Sequence, residues 1–328
     1  MNKKKEFDCV LVTGGYGFIG SNFIRHILDK YNSTNIINLD VLTYAGNLDN
    51  LKGIDNDPRF KFVRGDIRDK KLVDKIIKEC DAVVHFAAES HVDRSIESAG
   101  EFIQTNVYGT YVLLQSALEA KEKIKRFVMI STDEVYGDIP PDYSSKETDP
   151  LTPRNPYAAS KAGADVLAYS YYETHKLPVV VTRSSNNFGP YQYPEKILPL
   201  FITNLMEGKK VPLYGDGRNI RDWLYVEDNC NAIDMVLHHG KNGEVYNIGG
   251  GNEKPNIEVT KKILRIMDRD ESFIEFVQDR KGHDRRYSLD YSKIKKELGW
   301  KPQYEFDTVL KDTVNWYVEN VDWWNKLK

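Results

Sequence analysis

The feature that most constrains this chain is the alternation in its first half. Short apolar runs of strand length are separated by stretches with helical spacing. Cys9-Val10-Leu11-Val12-Thr13 is followed by Phe18 to Tyr31, where Ile19, Phe23 and Ile27 recur at helical intervals. Ile36–Asp40, Phe60–Val63, Ala82–Phe86, Phe127–Ser131 and Val179–Thr182 continue the strand series, with helical stretches near 71–79 and 101–120. Runs that are apolar throughout are buried on both faces, which a strand achieves in a parallel sheet covered by helices on each side. The expected fold is therefore α/β, a doubly wound parallel sheet.

The second half is less regular. Helical patterns are read at Phe201–Glu207, Val226–His238, Ile257–Met267 and Phe306–Tyr317, with strands near 211–214, 245–248 and 273–277 and crowded turns from Gly189 to Pro199. This half reads as a smaller α/β cap over the carboxyl edge of the sheet. Residues 1–183 form the first expected unit, with elements near 222–248 returning to it, and 184–328 the second.

The 328 residues are 41% apolar and 29% charged with a net charge of −3, the profile of a soluble globular protein. No global positive field exists to draw nucleic acid or an anionic membrane, and no apolar run approaches the roughly 20 residues of a membrane span. The basic start, Met1 to Glu6, precedes only a short apolar strand, too short for a signal-peptide core. Cys9, Cys80 and Cys230 are odd in number and scattered, which points to a reducing cytoplasm.

Gly14-Gly15-Tyr16-Gly17-Phe18-Ile19-Gly20 lies between the first strand and the first helix. Gly14 permits a tight turn, Gly17 lets backbone approach a pyrophosphate, and Gly20 allows close helix–strand packing. The helix N-terminus then offers free N–H groups to phosphate. Asp40 ends the second strand about 20 residues later, where a carboxylate accepts from ribose hydroxyls and repels a 2′-phosphate. This is the Rossmann dinucleotide pattern, with NAD favoured over NADP. Asp66-Ile67 follows the third strand, placed for the adenine edge.

Tyr157 and Lys161 stand four apart in a helical pattern that opens after Pro156, and so share a face. A free phenol, with a pKa near 10, is a poor base at neutral pH. A neighbouring lysine and a cationic nicotinamide lower that pKa, giving a base for an alcohol whose hydride leaves for NAD. Thr132-Asp133-Glu134 ends the buried strand before it, at the carboxyl edge where such sheets bind ligands. Thr132 is placed to hydrogen-bond the reacting hydroxyl. An alcohol dehydrogenase has no use for the adjacent acids, whereas elimination of water needs one proton donor and one acceptor. A UDP-sugar 4-epimerase would need Tyr157 and Lys161 without the acid pair. A non-enzymatic NAD sensor would need neither.

With these residues in place, the chain resembles the extended short-chain dehydrogenase/reductases, and among them the dTDP-glucose 4,6-dehydratase family. The likeness runs through Thr13–Asn22, Leu42–Asn47, Ala87–Ser95, Thr132–Gly137, the Tyr157 motif, Ser185–Tyr191, Arg221–Asp228 and Gly282–Tyr287. The resemblance implies that Tyr157 removes the 4-hydroxyl proton while hydride passes to NAD. Glu134 then takes the C5 proton, Asp133 protonates the leaving 6-hydroxyl, and hydride returns to C6, giving dTDP-4-keto-6-deoxyglucose. It further implies that Phe18, Ile19, Asp40, Thr43, Asp66, Ile67, Ala88, Thr105 and Asn187 line NAD. Ser90, Asn186, Lys196, Ile197, Tyr214, Arg221, Asn256, Arg280, His283 and Tyr287 would face the sugar nucleotide. Lys196, Arg221 and Arg280 suit its diphosphate. No metal is implied; His91 and His283 have no ligand cluster in sequence. A homodimer through a four-helix interface from 101–118 and 157–175 is implied, with Leu113, Leu114 and Tyr171 as candidates for it or for packing on the sheet. Nucleotide-sugar metabolism follows, with rhamnose as the commonest use of the product. Phe188, where the family usually has Tyr, and Lys281, where it usually has Pro, depart from the pattern.

Overall fold

The computed structural model describes residues 7–328; Met1 to Glu6, read above as no signal-peptide core, lie outside the described residues. Twelve strands are described: β1 Cys9–Thr13, β2 Asn35–Asp40, β3 Phe60–Arg64, β4 Ala82–His85, β5 Arg126–Thr132, β6 Val179–Ser184, β7 Asn186–Phe188, β8 Val211–Tyr214, β9 Ile220–Tyr225, β10 Val245–Ile248, β11 Glu253–Pro255 and β12 Ile274–Val277. The main helices are α1 Phe18–Lys30, α2 Lys70–Ile77, α3 Val92–Glu97, α4 Gly100–Phe102, α5 Thr110–Glu119, α6 Pro156–His175, α7 Ile197–Met206, α8 Val226–His239, α9 Asn256–Ile266, α10 Ser292–Leu298, α11 Phe306–Glu319 and α12 Val321–Asn325. A π-helical turn, Ile103–Gly109, joins α4 to α5.

Seven strands pair in the order β10-β6-β5-β4-β1-β2-β3, every pair parallel, as the unbroken apolar runs predict. Strand order reverses between β1 and β4, so a crevice opens there at the carboxyl ends. One apolar cluster gathers Val10, Val12, Ile24 and Ile233 on one face. A second gathers Leu11, Val83, Leu114 and Phe127 on the other. A third cluster, around Phe201, Trp223, Ile263 and Leu310, builds the cap. β10 returns to the large sheet after α8, which packs against α1.

The cap adds a three-stranded sheet, β11-β9-β7, and a two-stranded one, β12-β8. The first of these was not legible in the sequence. β9 carries Arg221 and Asp222 buried at its start, and a run with two buried charges does not read as a strand. Phe188 is buried among Trp223, Tyr225 and Phe306, a packing role that needs no hydroxyl. Leu113 and Leu114 are fully buried in the sheet-packing cluster, and Tyr171 nearly so, so the structure assigns them to the core and not to a surface. No helix among the described residues is long and apolar enough to cross a membrane.

Candidate active site

A cavity of about 430 Å³ runs along the carboxyl edge at the β1/β4 reversal. Gly14, Gly17, Phe18, Ile19, Gly20, Asp40, Thr43, Asp66, Ile67, Ala88 and Thr105 line one end. Ser90, Thr132, Asp133, Glu134, Tyr157, Lys161, Asn186, Asn187 and Lys196 line the rest. The sequence-predicted dinucleotide residues are thus brought together. Gly14 has φ +71°, and a Cβ there would stand 2.7 Å from the backbone of Ala87. Gly17 caps α1 without any side-chain cap, so the first-turn amides keep their donors. Asp40 is buried, which raises its pKa, while the N–H groups of Tyr16 (2.9 Å) and Leu42 (2.8 Å) donate to its two oxygens. Those bonds hold the carboxylate at the lip, each oxygen with a lone pair to spare. Asp66 is held by Arg68, whose backbone N–H and guanidinium both donate to it. An uncapped helix start, an adjacent fixed carboxylate and unpartnered oxygens on Asn186 and Asn187 suit a dinucleotide's phosphates, ribose and amide.

β5 delivers Thr132 to the edge, and a single 3-10 turn, Asp133–Tyr136, presents both acids. Thr132 caps that turn: its Oγ1 accepts from the Glu134 N–H at 3.3 Å and donates to Asp133 Oδ1 at 3.0 Å. α6 begins at Asn155, whose side chain caps the Ala158 N–H, with Pro156 in its first turn. Asn155 Nδ2 also donates to Glu134 Oε2 at 3.2 Å, tying the start of the Tyr157 helix to the acid pair. Burial, then Glu134, push the Asp133 carboxyl well above the ordinary range, and its Oδ2 is buried without a partner among the described residues. Asp133 is therefore biased toward its protonated form, with one oxygen unpartnered among the described residues. Glu134 differs: its Oε2 accepts from Asn155 at 3.2 Å, with the Tyr287 hydroxyl 3.4 Å away.

The phenol does not follow the sequence expectation. Burial, with Glu134 and Asp133 beside it, pushes Tyr157 above its ordinary value, and only the Thr132 hydroxyl favours its phenolate. Lys161, the expected partner, donates to the Ile130 carbonyl at 2.6 Å; burial lowers its pKa to about 8. The i, i+4 spacing placed both side chains in the cavity but could not reveal that two carboxylates from another element share it.

The remaining predicted residues, apart from Lys196, are not among those that line the cavity. Tyr287 is buried and donates to Asp284 Oδ2 at 2.6 Å, and Arg221 stacks on its ring at 4.3 Å. Among the described residues Arg221 donates to the carbonyls of Ile220 and Asp284, and burial lowers its pKa. Lys196 donates to the Ser90 carbonyl at 3.0 Å, and burial lowers its pKa too. Arg280, with Nε buried and unpartnered, depresses both. His283 sits against Tyr214 (6.1 Å between ring centres) and bonds Asp279; burial and Arg280 lower it to about 4. Asn256 opens α9 with its Oδ1 unpartnered, and Ile197, next to Lys196, opens α7. Three crowded cations with few carboxylate partners have the charge and free donors to take up an anion.

Sequence reasoning gave no role to Glu195. It lines the cavity and gathers Tyr44 (3.1 Å), His91 (3.6 Å) and Arg94 (3.6 Å) from two separate segments. Arg94 also stacks 3.7 Å from the Tyr44 ring centre. The only signal for this latch was its place in the turn-rich stretch from Gly189 to Pro199.

A doubly wound sheet with this crevice defines a Rossmann-type nucleotide-binding protein. The chain belongs to the family whose model is described as GDP-mannose 4,6 dehydratase, matched over residues 11–313. It is 52% identical to a dTDP-glucose 4,6-dehydratase of Actinoplanes sp., over 96% of this chain and 99% of that protein. It is 55% identical to the low-salt glycan biosynthesis protein Agl12 of Haloferax volcanii, over 94% and 98%. Among solved structures, the dTDP-glucose 4,6-dehydratase DesIV from Streptomyces venezuelae, crystallised with NAD bound, superposes with a TM-score of 0.95 at 53% identity, covering 98% of this chain and all of that one.

Proposed function

We propose that this protein is an NAD-dependent lyase that converts dTDP-glucose to dTDP-4-keto-6-deoxyglucose. The observation that carries the reading is the acid pair beside Tyr157: Asp133, buried with its Oδ2 unpartnered among the described residues and its pKa raised by burial, and Glu134 as an acceptor two residues from the Thr132 hydroxyl. A 4-epimerase has no use for such a pair. Residues 1–183, with the segment 222–248, serve NAD binding, and 184–328 the sugar nucleotide.

NAD, held by these residues, would supply the hydride acceptor for C4 and the donor for C6, so no external reductant would be needed. The α1 amides and Gly17 hold its diphosphate, and Asp40 accepts from the adenosine ribose hydroxyls. Lys161 contributes positive charge and holds the second ribose. Lys196, Arg221 and Arg280 hold the substrate diphosphate. With the cationic nicotinamide and Lys161 offsetting the acids beside it, Tyr157 would take the O4 proton. Glu134 takes the proton from C5, acidified by the new ketone, and later gives it back. Asp133 Oδ2 protonates the departing 6-hydroxyl. Over one cycle Tyr157 therefore gains a proton and Asp133 loses one. Thr132 bridges the two, so a concerted shift along its hydroxyl resets both.

The working unit is a homodimer. Ile103, Tyr108, Tyr111, Val166 and Tyr169 are exposed on the 103–109 turn, α5 and α6, an apolar surface that a four-helix interface would cover. The three free thiols favour the cytoplasm. The test is to incubate the purified protein with NAD and dTDP-, UDP-, GDP- or CDP-glucose without reductant. A 4-keto-6-deoxy product from dTDP-glucose is expected; 4-epimerisation alone would reject the proposal.

A further inference from the structure

At the end of the sheet away from the cavity, two thiols face each other. Cys9 opens β1 and Cys80 stands just before β4, the neighbouring strand, and their sulfurs are 3.5 Å apart. The two backbones are locked together at this point. The N–H groups of Asp8 (3.2 Å) and Cys9 (3.0 Å) donate to the Asp81 carboxylate, and the Asp81 N–H donates to the Cys9 carbonyl at 3.0 Å. Lys125 Nζ closes the knot on Asp81 at 2.9 Å. A disulfide needs about 2.05 Å between sulfurs, a closure that side-chain rotation can supply when the main chains are already adjacent.

We propose that Cys9 and Cys80 form an oxidation site, closing to an intramolecular disulfide when the protein meets a hydroperoxide. The two thiols have unequal parts. Cys9 is only partly buried, so its sulfur is the one a peroxide can reach, and the contact with Cys80 lowers its pKa. Cys80 is buried and is pushed up by its bond to Cys9 and by burial, so it stays a thiol. Cys9 Sγ attacks a peroxide oxygen, expelling hydroxide and becoming a sulfenic acid. Cys80 Sγ then attacks Cys9 Sγ, loses its proton and displaces hydroxide, which leaves as water. In total, two thiols and one hydrogen peroxide give one disulfide and two waters. Cys230, fully buried against α1, takes no part.

The bond would join positions 71 apart and close a covalent loop around β1, β2, β3 and the helices between them, the unit that carries the glycine turn. It lies at the amino ends of the strands, whereas Gly14 and Ala87 follow their carboxyl ends in the cavity. The bond should therefore raise stability without touching the ligand site.

The test treats full-length protein with hydrogen peroxide and measures intact mass, then maps unreduced peptides. A loss of about 2 Da, one crosslinked peptide pair containing Cys9 and Cys80, and a melting temperature several degrees higher are expected. NAD affinity should stay within about twofold. Dithiothreitol should restore the starting mass, and Cys9→Ser should abolish the crosslink. Should Cys80→Ser fold poorly, the wild-type peptide map decides alone. Stepwise gain of oxygen at Cys9 with no crosslink, or no mass change while Cys9 still reacts with a thiol-alkylating reagent, would overturn the proposal.

Discussion

At the residue scale the functional reading reduces to where protons reside. Glu134 accepts from Asn155, and an amide oxygen can take the same bond, so its amide analogue keeps the shape of the site. Glu134→Gln should leave the first hydride transfer intact and stop C5 deprotonation. The expected outcome is accumulation of reduced nicotinamide and at least a hundredfold loss of turnover. Stopped-flow absorbance, with mass spectrometry for deuterium from solvent at C5, checks it; unchanged turnover removes Glu134 from this role. Thr132 supports a sharper test. If its hydroxyl returns the proton from Tyr157 to Asp133, Thr132→Val should complete one turnover per site and then stall, while Thr132→Ser should cycle. Rapid-quench product counts separate this from a residue that only positions the phenol, whose loss slows the first turnover as much as the later ones.

At the element scale, two glycines of the β1–α1 turn separate folding from binding. A Cβ on Gly20 would lie 2.4 Å from the Gly14 carbonyl oxygen, inside the protein. One on Gly17 would meet that oxygen only at 3.2 Å. Gly20→Ala should cost about 1–3 kcal/mol of stability, as overpacking does. Gly17→Ala should fold nearly normally and lose at least about tenfold in NAD affinity, because its methyl occupies the approach of the pyrophosphate. Urea titration and calorimetry with NAD distinguish the two. This turn was legible because its requirement is local: strand, glycines and helix are contiguous. The acid pair was legible for the same reason, being the end of an apolar strand. The phenol's electrostatics were not, since Glu134 meets Tyr157 only through the packing of β5 against α6. Nor was β9, whose buried Asp222 is satisfied by the N–H groups of Gly250 and Asn252, 28 and 30 residues away. Charges partnered over such distances look in sequence like a solvated loop.

At the scale of the whole molecule, acid should weaken the fold through a histidine remote from any protein surface. His85 ends β4, fully buried between the two packed faces. Thr110 Oγ1 gives its proton to the Asn106 carbonyl at 2.6 Å, so at 2.9 Å it must accept from His85 Nε2. Thr13 Oγ1 accepts the Ala87 N–H and so is free to donate to Nδ1, at 2.7 Å. The bonds fix one neutral tautomer, and a second ring proton would face the Thr13 donor. Burial, then Lys161, lower its pKa from 6.5 to about 3. Between those values the unfolded chain binds a proton that the folded one refuses. Stability is therefore full above about 6.5 and falls as pH drops toward about 3, with a slope approaching 1.4 kcal/mol per unit from this group. His283, lowered to about 4, acts in the same direction, while Asp133, raised by burial, acts against both. Urea midpoints should drop between about pH 6.5 and 5. Imidazole nitrogen resonances should keep His85 in the Nε2–H form throughout that range; a His85 that titrates near 6.5 would show that the strand end tolerates the charge and would remove the slope assigned to it.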